Sequence, residues 1–254
     1  MTGSERPRTW LDWAQQGDWG RAEVASELSG KGPLAALSTL SRLQAALRAR
    51  RYHAALAAVQ ALSEAEADLQ PFLAGPLPES GTVQAAVEQL QQALRGGEQD
   101  LSQALACSLT RPEALNLQGR LRAEAGDVEA AAQCFREALE LDPGHYRALT
   151  NLGNLELEAG NLSGAEAHYR RALAMEESES ALHNLGVVLS KQGRRGESVR
   201  ALRQAETLRR RRQEEEVRAA VQRDIPRLSA VQRWWPWLVG ALLVLGLLWG
   251  AAQL

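Results

Sequence analysis

Between Pro112 and Ala205 one residue pattern is written three times. The first copy reads Leu115, Gly119, Gly126-Asp127, Ala131, Phe135, Ala138 and Pro143. The second reads Leu149, Gly153, Gly160-Asn161, Ala165, Tyr169 and Ala172, and the third Leu182, Gly186, Gly193-Arg194, Ser198, Leu202 and Ala205. The leading glycines stand 34 residues apart (119 to 153) and then 33 apart (153 to 186). A period of that size, with Gly and Ala at fixed offsets, restricts the chain to a solenoid of helical hairpins. The fold class is therefore all-α.

Each residue type in the pattern has a physical reason. Gly119, Gly153 and Gly186 fall inside a helical pattern, where Gly costs about 1 kcal/mol against Ala. Something must pack very close to them, and the facing residues Ala131, Ala165 and Ser198 are small. Phe135 and Tyr169 then fill the space one turn further on. Gly126, Gly160 and Gly193 stand where a helix must stop, because Gly takes the left-handed conformation without steric penalty. Pro143 breaks the chain before the next copy. In the third copy no proline follows, and Arg195 replaces the apolar residue found after the turn. With Asn151-Leu152-Gly153-Asn154 and Ala138-Leu139-Glu140-Leu141-Asp142-Pro143, the stretch 112–205 resembles the tetratricopeptide repeat family. The resemblance implies a right-handed superhelical solenoid whose concave groove holds a peptide or helix of a partner protein.

The rest of the chain reads as weaker copies and a tail. Residues 1–69 hold two degenerate hairpins. Trp10 and Trp13 lie at helical spacing before Gly17-Asp18, and Trp19 occupies the slot of Val128 and Leu162. Leu37, Leu40, Leu43 and Leu47 then make a stripe, Arg51-Tyr52 marks a turn, and Ala55, Val59 and Leu62 follow. Pro71, Gly75, Pro76, Pro78 and Gly81 make residues 70–81 a loop. Residues 82–111 give a third degenerate hairpin, with Leu101, Leu105 and Leu109 lining its second helix. That makes about six hairpins in all.

A charged helix is expected over 206–233, where Arg210–Glu214, Arg211–Glu215 and Arg212–Glu216 can pair at i, i+4. Residues 234–254 carry no charge. As a helix they would span about 31 Å, the thickness of a bilayer core. Trp234, Trp235 and Trp237 gather at one end and Trp249 near the other, as an interfacial belt would place them. Gly246 and Gly250 form a GxxxG pair, which adds a homodimer through the span to the expectations.

Chemistry-bearing motifs are sparse. Cys107 and Cys134 have no metal or CxxC spacing, and His53, His145, His168 and His183 lack ligand companions. No phosphate loop, dinucleotide fingerprint or nucleophile elbow occurs. The reading is a non-enzyme without cofactor or metal. A net charge of −2 argues against nucleic acid. Only Lys31 and Lys191 among the 29 basic residues are lysine, which suggests a GC-rich genome and so a bacterium.

The functional expectation is a membrane-anchored adaptor; the alternative is an assembly or accessory subunit of a membrane-bound enzyme complex. From the family resemblance, the groove side chains are Asn116, Arg120, Arg147, Asn151, Asn154, Glu158, Asn184 and Lys191. Paired carboxamides can hydrogen-bond a peptide backbone, and Arg120, Arg147 and Lys191 add attraction for acidic groups. Arg6, Arg8 and Asp12 interrupt any secretory signal, while Arg218, Arg223, Arg227 and Arg233 precede the span. Positive charge on that side keeps the bulk of the chain in the cytoplasm, tail-anchored in a bacterial inner membrane. A cytosol-facing organelle outer membrane is the other address.

Overall fold

The structure is a computed structural model that describes residues 8–62, 68–72, 77–95 and 100–221. The span expected over 234–254, with Trp234, Trp235, Trp237, Trp249, Gly246 and Gly250, lies outside the described residues. Two compact units divide the chain, residues 1–202 and 203–254.

Within the first unit the described residues form successive helix pairs. These are α1 (Trp10–Gln15) with α2 (Trp19–Ser29), α3 (Leu34–Arg48) with α4 (Tyr52–Gln60), and α5 (Ser80–Leu94) with α6 (Ser102–Ala106). Then come α7 (Arg111–Glu124) with α8 (Val128–Leu141), α9 (Tyr146–Glu158) with α10 (Leu162–Met175), and α11 (Glu179–Lys191) with helical residues 195–202. Helices adjacent in sequence are adjacent in space, and α7, α9 and α11 also touch in series. That is the contact pattern of stacked hairpins.

One turn closes five of the six pairs. At residues 17, 50, 126, 160 and 193 the backbone is left-handed, with φ of 72°, 56°, 85°, 79° and 80°. The amide that follows each reaches back five residues, as in Asp127 N to Arg122 O at 2.9 Å and Asn161 N to Glu156 O at 2.8 Å. The last carbonyls of the first helix are thereby satisfied. Four of these positions are glycine; the fifth is Arg50, so the second turn sits one residue before the Arg51-Tyr52 expected from sequence. Asp18, Asp127 and Asn161 then cap the next helix through their side chains. Arg194 cannot accept an amide. It instead grips Glu166 (2.8 Å) and Glu197 (2.6 Å), tying the third clear hairpin to the second. Burial pushes the Glu166 carboxyl up, but hydrogen bonds from Arg194, Gln192 and Arg170 outweigh it and pull it down to about 2.

The interior glycines mark where paired helices come closest. A Cβ on Gly119 would stand 2.6 Å from the Phe135 ring, and one on Gly153 would stand 2.6 Å from the Tyr169 ring. On Gly186 it would meet Leu202 at 2.7 Å. The rings themselves cover the glycines, so the small Ala131 and Ala165 expected opposite them are not the contact that excludes a side chain. Phe135 and Tyr169 are buried and fill the space between helices. The N-terminal pairs use leucine instead: Leu37, Leu40, Leu43, Leu62, Leu69 and Leu90 are buried in one cluster. Trp10 packs edge-on to Phe72 with ring centroids 5.3 Å apart, and Trp13 stacks with Arg8 and Arg21.

The third pair departs most from expectation. Helix α5 starts at Ser80, inside the stretch read as loop, with Gly81 in its first turn. Helix α6 is only 5 residues long, so Leu109 lies beyond it. Thr110 Oγ1 donates to the Ala104 carbonyl at 2.9 Å, and Arg111 N returns to Cys107 O at 2.9 Å, which ends the helix and starts α7. With α6 so short, the end of α3 reaches past the third pair. Arg48 Nε binds Asp142 Oδ2 at 2.7 Å and Arg147 Nε binds the Arg48 carbonyl at 2.6 Å, while on the other side Gln44 Nε2 ties α3 to the first pair through the Gly17 carbonyl at 2.8 Å.

In the second unit, described residues 203–221 are helical and nearly all exposed. Of the expected pairs only Arg212–Glu216 forms, at 3.2 Å, and Arg209 turns back to Glu206 instead. Among the described residues no helix is long and apolar enough to cross a membrane.

Candidate functional site

The first helices of the three clear hairpins carry a row of carboxamides. Its lower end is built on a buried acid. Glu113, in the first turn of α7, accepts from Arg50 Nε at 2.7 Å and from Asn116 Nδ2 at 3.2 Å. His145 Nε2 lies 3.1 Å from the same carboxylate. His145 Nδ1 accepts the Ala148 amide at 3.2 Å, so it caps α9 and leaves the proton on Nε2 to donate to Glu113. Burial favours the neutral Glu113 carboxyl. The hydrogen bond from His145 and the charge and bond of Arg50 outweigh that and hold it below the usual carboxylate range.

From there the row climbs in two rungs. Asn151 Nδ2 donates to Asn116 Oδ1 at 2.8 Å. Asn184 Nδ2 donates to Asn154 Oδ1 at 2.8 Å, and the Tyr169 hydroxyl donates to the same oxygen at 2.8 Å. Burial of the Tyr169 phenol pushes its pKa up to about 12, so it stays a donor. Each rung spends one amide hydrogen inward. The Oδ1 and second amide hydrogen of half-buried Asn151 and Asn184 remain to meet a ligand.

The sequence-predicted residues separate accordingly. Asn116 is fully buried and bonded within the chain, so it supports the row instead of lining its surface. Arg120 is half-exposed beside Glu124 (3.3 Å), and Arg147 lies over the Tyr146 ring with its Nε on the Arg48 carbonyl. Asn154 is held from two sides, while Glu158 and Lys191 are exposed. Sequence reading missed Glu113, His145 and Arg50. Glu113 follows Pro112 at the start of its repeat, and a lone acid there gave no hint of its burial. Arg50 reaches Glu113 from 63 positions away, which no local pattern encodes.

Two cavities lie away from the row. A groove of about 510 Å³ runs between α8, α9 and α10, past Leu152, Leu155 and His168. A cavity of about 370 Å³ sits among Trp19, Leu40, Leu43 and Leu109. Among the described residues no cluster of three or more His, Cys, Asp or Glu could hold a metal ion.

Stacked hairpins with this turn and this close glycine contact define a helical-repeat protein. Family models described as tetratricopeptide repeat match residues 116–181 and 180–212, so this part of the chain consists of tetratricopeptide repeats. No curated protein matches the sequence. Among solved structures, "Crystal structure of MamA" aligns at a TM-score of 0.40 and 16% identity, over 82% of this chain and 99% of that one. A likeness that slight carries no argument about fold or function.

Proposed function

We propose that the chain is a non-enzymatic adaptor that holds a peptide or helix of a partner protein along the amide row of α7, α9 and α11. One observation carries this reading: both rungs fix a carboxamide whose remaining oxygen and hydrogen are free to pair with a peptide backbone. Side chains pre-set by internal hydrogen bonds bind without the entropy cost of ordering them. Tetratricopeptide repeats over 116–212 support a protein partner over a small molecule. In the same proposal, residues 234–254 anchor the chain in a bacterial inner membrane with the repeats in the cytoplasm; their charge-free sequence and the preceding arginines support it.

Asn184→Ala is the clean probe, because Asn154 Oδ1 keeps the Tyr169 hydroxyl. Asn151→Ala also strands the buried Asn116 oxygen and costs about 1–3 kcal/mol of stability. The partner is to be captured with full-length protein in non-ionic detergent and identified by mass spectrometry. The Asn184→Ala form should retain it several-fold less well; equal retention by the Asn151→Ala, Asn184→Ala double variant would put the partner elsewhere. Protease added outside sealed vesicles of known orientation should spare the repeats, and digestion there would reverse the topology.

A further inference from the structure

We propose that the cavity of about 370 Å³ between the α1–α2 turn and the end of α8 binds a small organic cation with an apolar body, an arylalkylamine. The site is separate from the amide row and independent of what the row holds. Its volume falls within the range of small-molecule sites, about 300–1,000 Å³. Trp19, Leu40, Leu43 and Leu77 form its apolar wall, and all four are buried. Leu141, the last residue of α8, lines it too and is 40% exposed. An apolar body seated here covers Leu141 and packs against side chains that already avoid water.

The charge of the cavity is one-sided. Among the described residues that line it, Glu140 is the only charged one, and none is basic. Glu140 is exposed and makes no hydrogen bond or ion pair with another described residue. The bases around it are engaged elsewhere. Arg136, one turn earlier on α8, turns to Glu129 at 3.8 Å. Arg8 donates to Gln16 at 3.2 Å and stacks over the Trp13 ring. Glu140 and Leu141 also form the C-terminal end of α8, where the helix dipole favours a cation. Gln44 lines the same cavity and gives its Nε2 to the Gly17 carbonyl at 2.8 Å, which leaves its Oε1 to accept. An ammonium group donates and never accepts, so it matches these acceptors. A carboxylate would meet Glu140 with like charge, and a neutral molecule would leave that charge unmatched. An arylalkylamine satisfies both halves, with its ring against the tryptophan and leucines and its ammonium beside Glu140.

Isothermal titration calorimetry of full-length protein in non-ionic detergent tests this, with the heat of each ligand entering empty micelles subtracted. The probes are phenylbutylamine, phenylbutanol and phenylbutanoate, which share one body and differ in charge. The amine should bind about tenfold more tightly than the carboxylate, with the alcohol between them. Glu140→Gln should weaken the amine about threefold to fivefold, the scale of one solvated charge pair, and leave the alcohol unchanged. Ser108→Trp, at an exposed lining position, should obstruct the cavity and weaken amine and alcohol alike. Both positions are exposed, so the melting temperatures should stay close to the parent's. Absence of amine binding, or equal binding of the three probes, would overturn the proposal. So would an amine unaffected by Glu140→Gln, or probes unaffected by Ser108→Trp. N-acetyl-lysine amide carries the same ammonium on a polar body; binding as tight as that of phenylbutylamine would show that the apolar wall contributes nothing and would also overturn it. Asn184→Ala should bind the amine as the parent does. A loss there would place the amine in the row and remove the separate site, whereas failure of the row reading leaves this cavity untouched.

Discussion

The pairs α7–α8 and α9–α10 differ from α3–α4 in what holds their two helices together. In the first two a glycine lies under a buried aromatic ring, Gly119 under Phe135 and Gly153 under Tyr169. In α3–α4 the contact is a leucine stripe, Leu37, Leu40, Leu43 and Leu47, against Ala55, Val59 and Leu62. Yet the turns between helices are the same, left-handed at Gly126, Gly160 and Arg50 alike. The turn is set by backbone hydrogen bonding, which tolerates any residue at a cost of about 1–2 kcal/mol. The close helix contact is set by side-chain volume, which tolerates almost none. Degenerate repeats therefore lose the glycine–ring contact first and keep the turn longest.

The largest effect should follow from breaking the contact that α3–α4 lacks. Gly153→Val places a Cβ 2.6 Å from a fully buried, rigid Tyr169 ring. Overpacking of this kind costs about 3 kcal/mol. Moving the ring also breaks its bond to Asn154, so the Asn154–Asn184 rung should loosen with it. Gly196→Ala is the control, since its Cβ meets nothing within 4 Å and helix propensity should leave it neutral or up to about 1 kcal/mol more stable. Chemical denaturation of both variants checks the contrast. If Gly153→Val melts with the parent, the close approach is not what defines these repeats.

A second experiment asks why the α3–α4 turn keeps an arginine where its counterparts keep glycine. Arg50→Gly relieves about 1 kcal/mol of left-handed strain. It also leaves the buried Glu113 carboxylate without its cation, a loss of about 3 kcal/mol, so the variant should be less stable despite a better turn residue. The pH dependence carries the same signature. The folded Glu113 carboxyl is held below its unfolded value, so its contribution is present above about pH 4.5 and is lost as pH falls through the lower folded value. Glu113→Gln should be less stable at neutral pH and show a shallower fall in stability on acidification than the parent. Parallel acid profiles would mean that Glu113 is not the group being titrated.

These comparisons also show what could be read from sequence. Period, helix class and turn glycines were legible because each follows from local spacing, whereas Asn151 and Asn184 were named only through the family resemblance. Asn116 was placed on the surface because its position in the repeat says so. It is buried because Glu113 draws it inward, and Glu113 is buried because Arg50 covers it from 63 positions away in sequence. No local pattern encodes that contact, and α6 ends at Ala106 where a longer helix was expected. The charged stretch was misread in a smaller way. Any of several i, i+3 and i, i+4 pairings satisfies an exposed Arg/Glu run, and their energies differ by only a few tenths of a kcal/mol.

The smallest effect tests the turn itself. Gly160 sits at φ 79° with open space where a Cβ would be, so a substitution there meets strain without clash. Gly160→Ala should cost about 1 kcal/mol, and Gly160→Asn less, because asparagine enters the left-handed region more readily. Neither change touches the 2.8 Å bond from Asn161 N to Glu156 O, so helicity should hold in both. The same pair of substitutions at Arg50 should reverse in meaning: Arg50→Asn eases the backbone and still destabilises, because Glu113 loses its partner. Thermal melts of the four variants on one baseline separate the two contributions. If Arg50→Asn is no worse than Gly160→Asn, the ion pair with Glu113 adds nothing and the turn alone governs both positions.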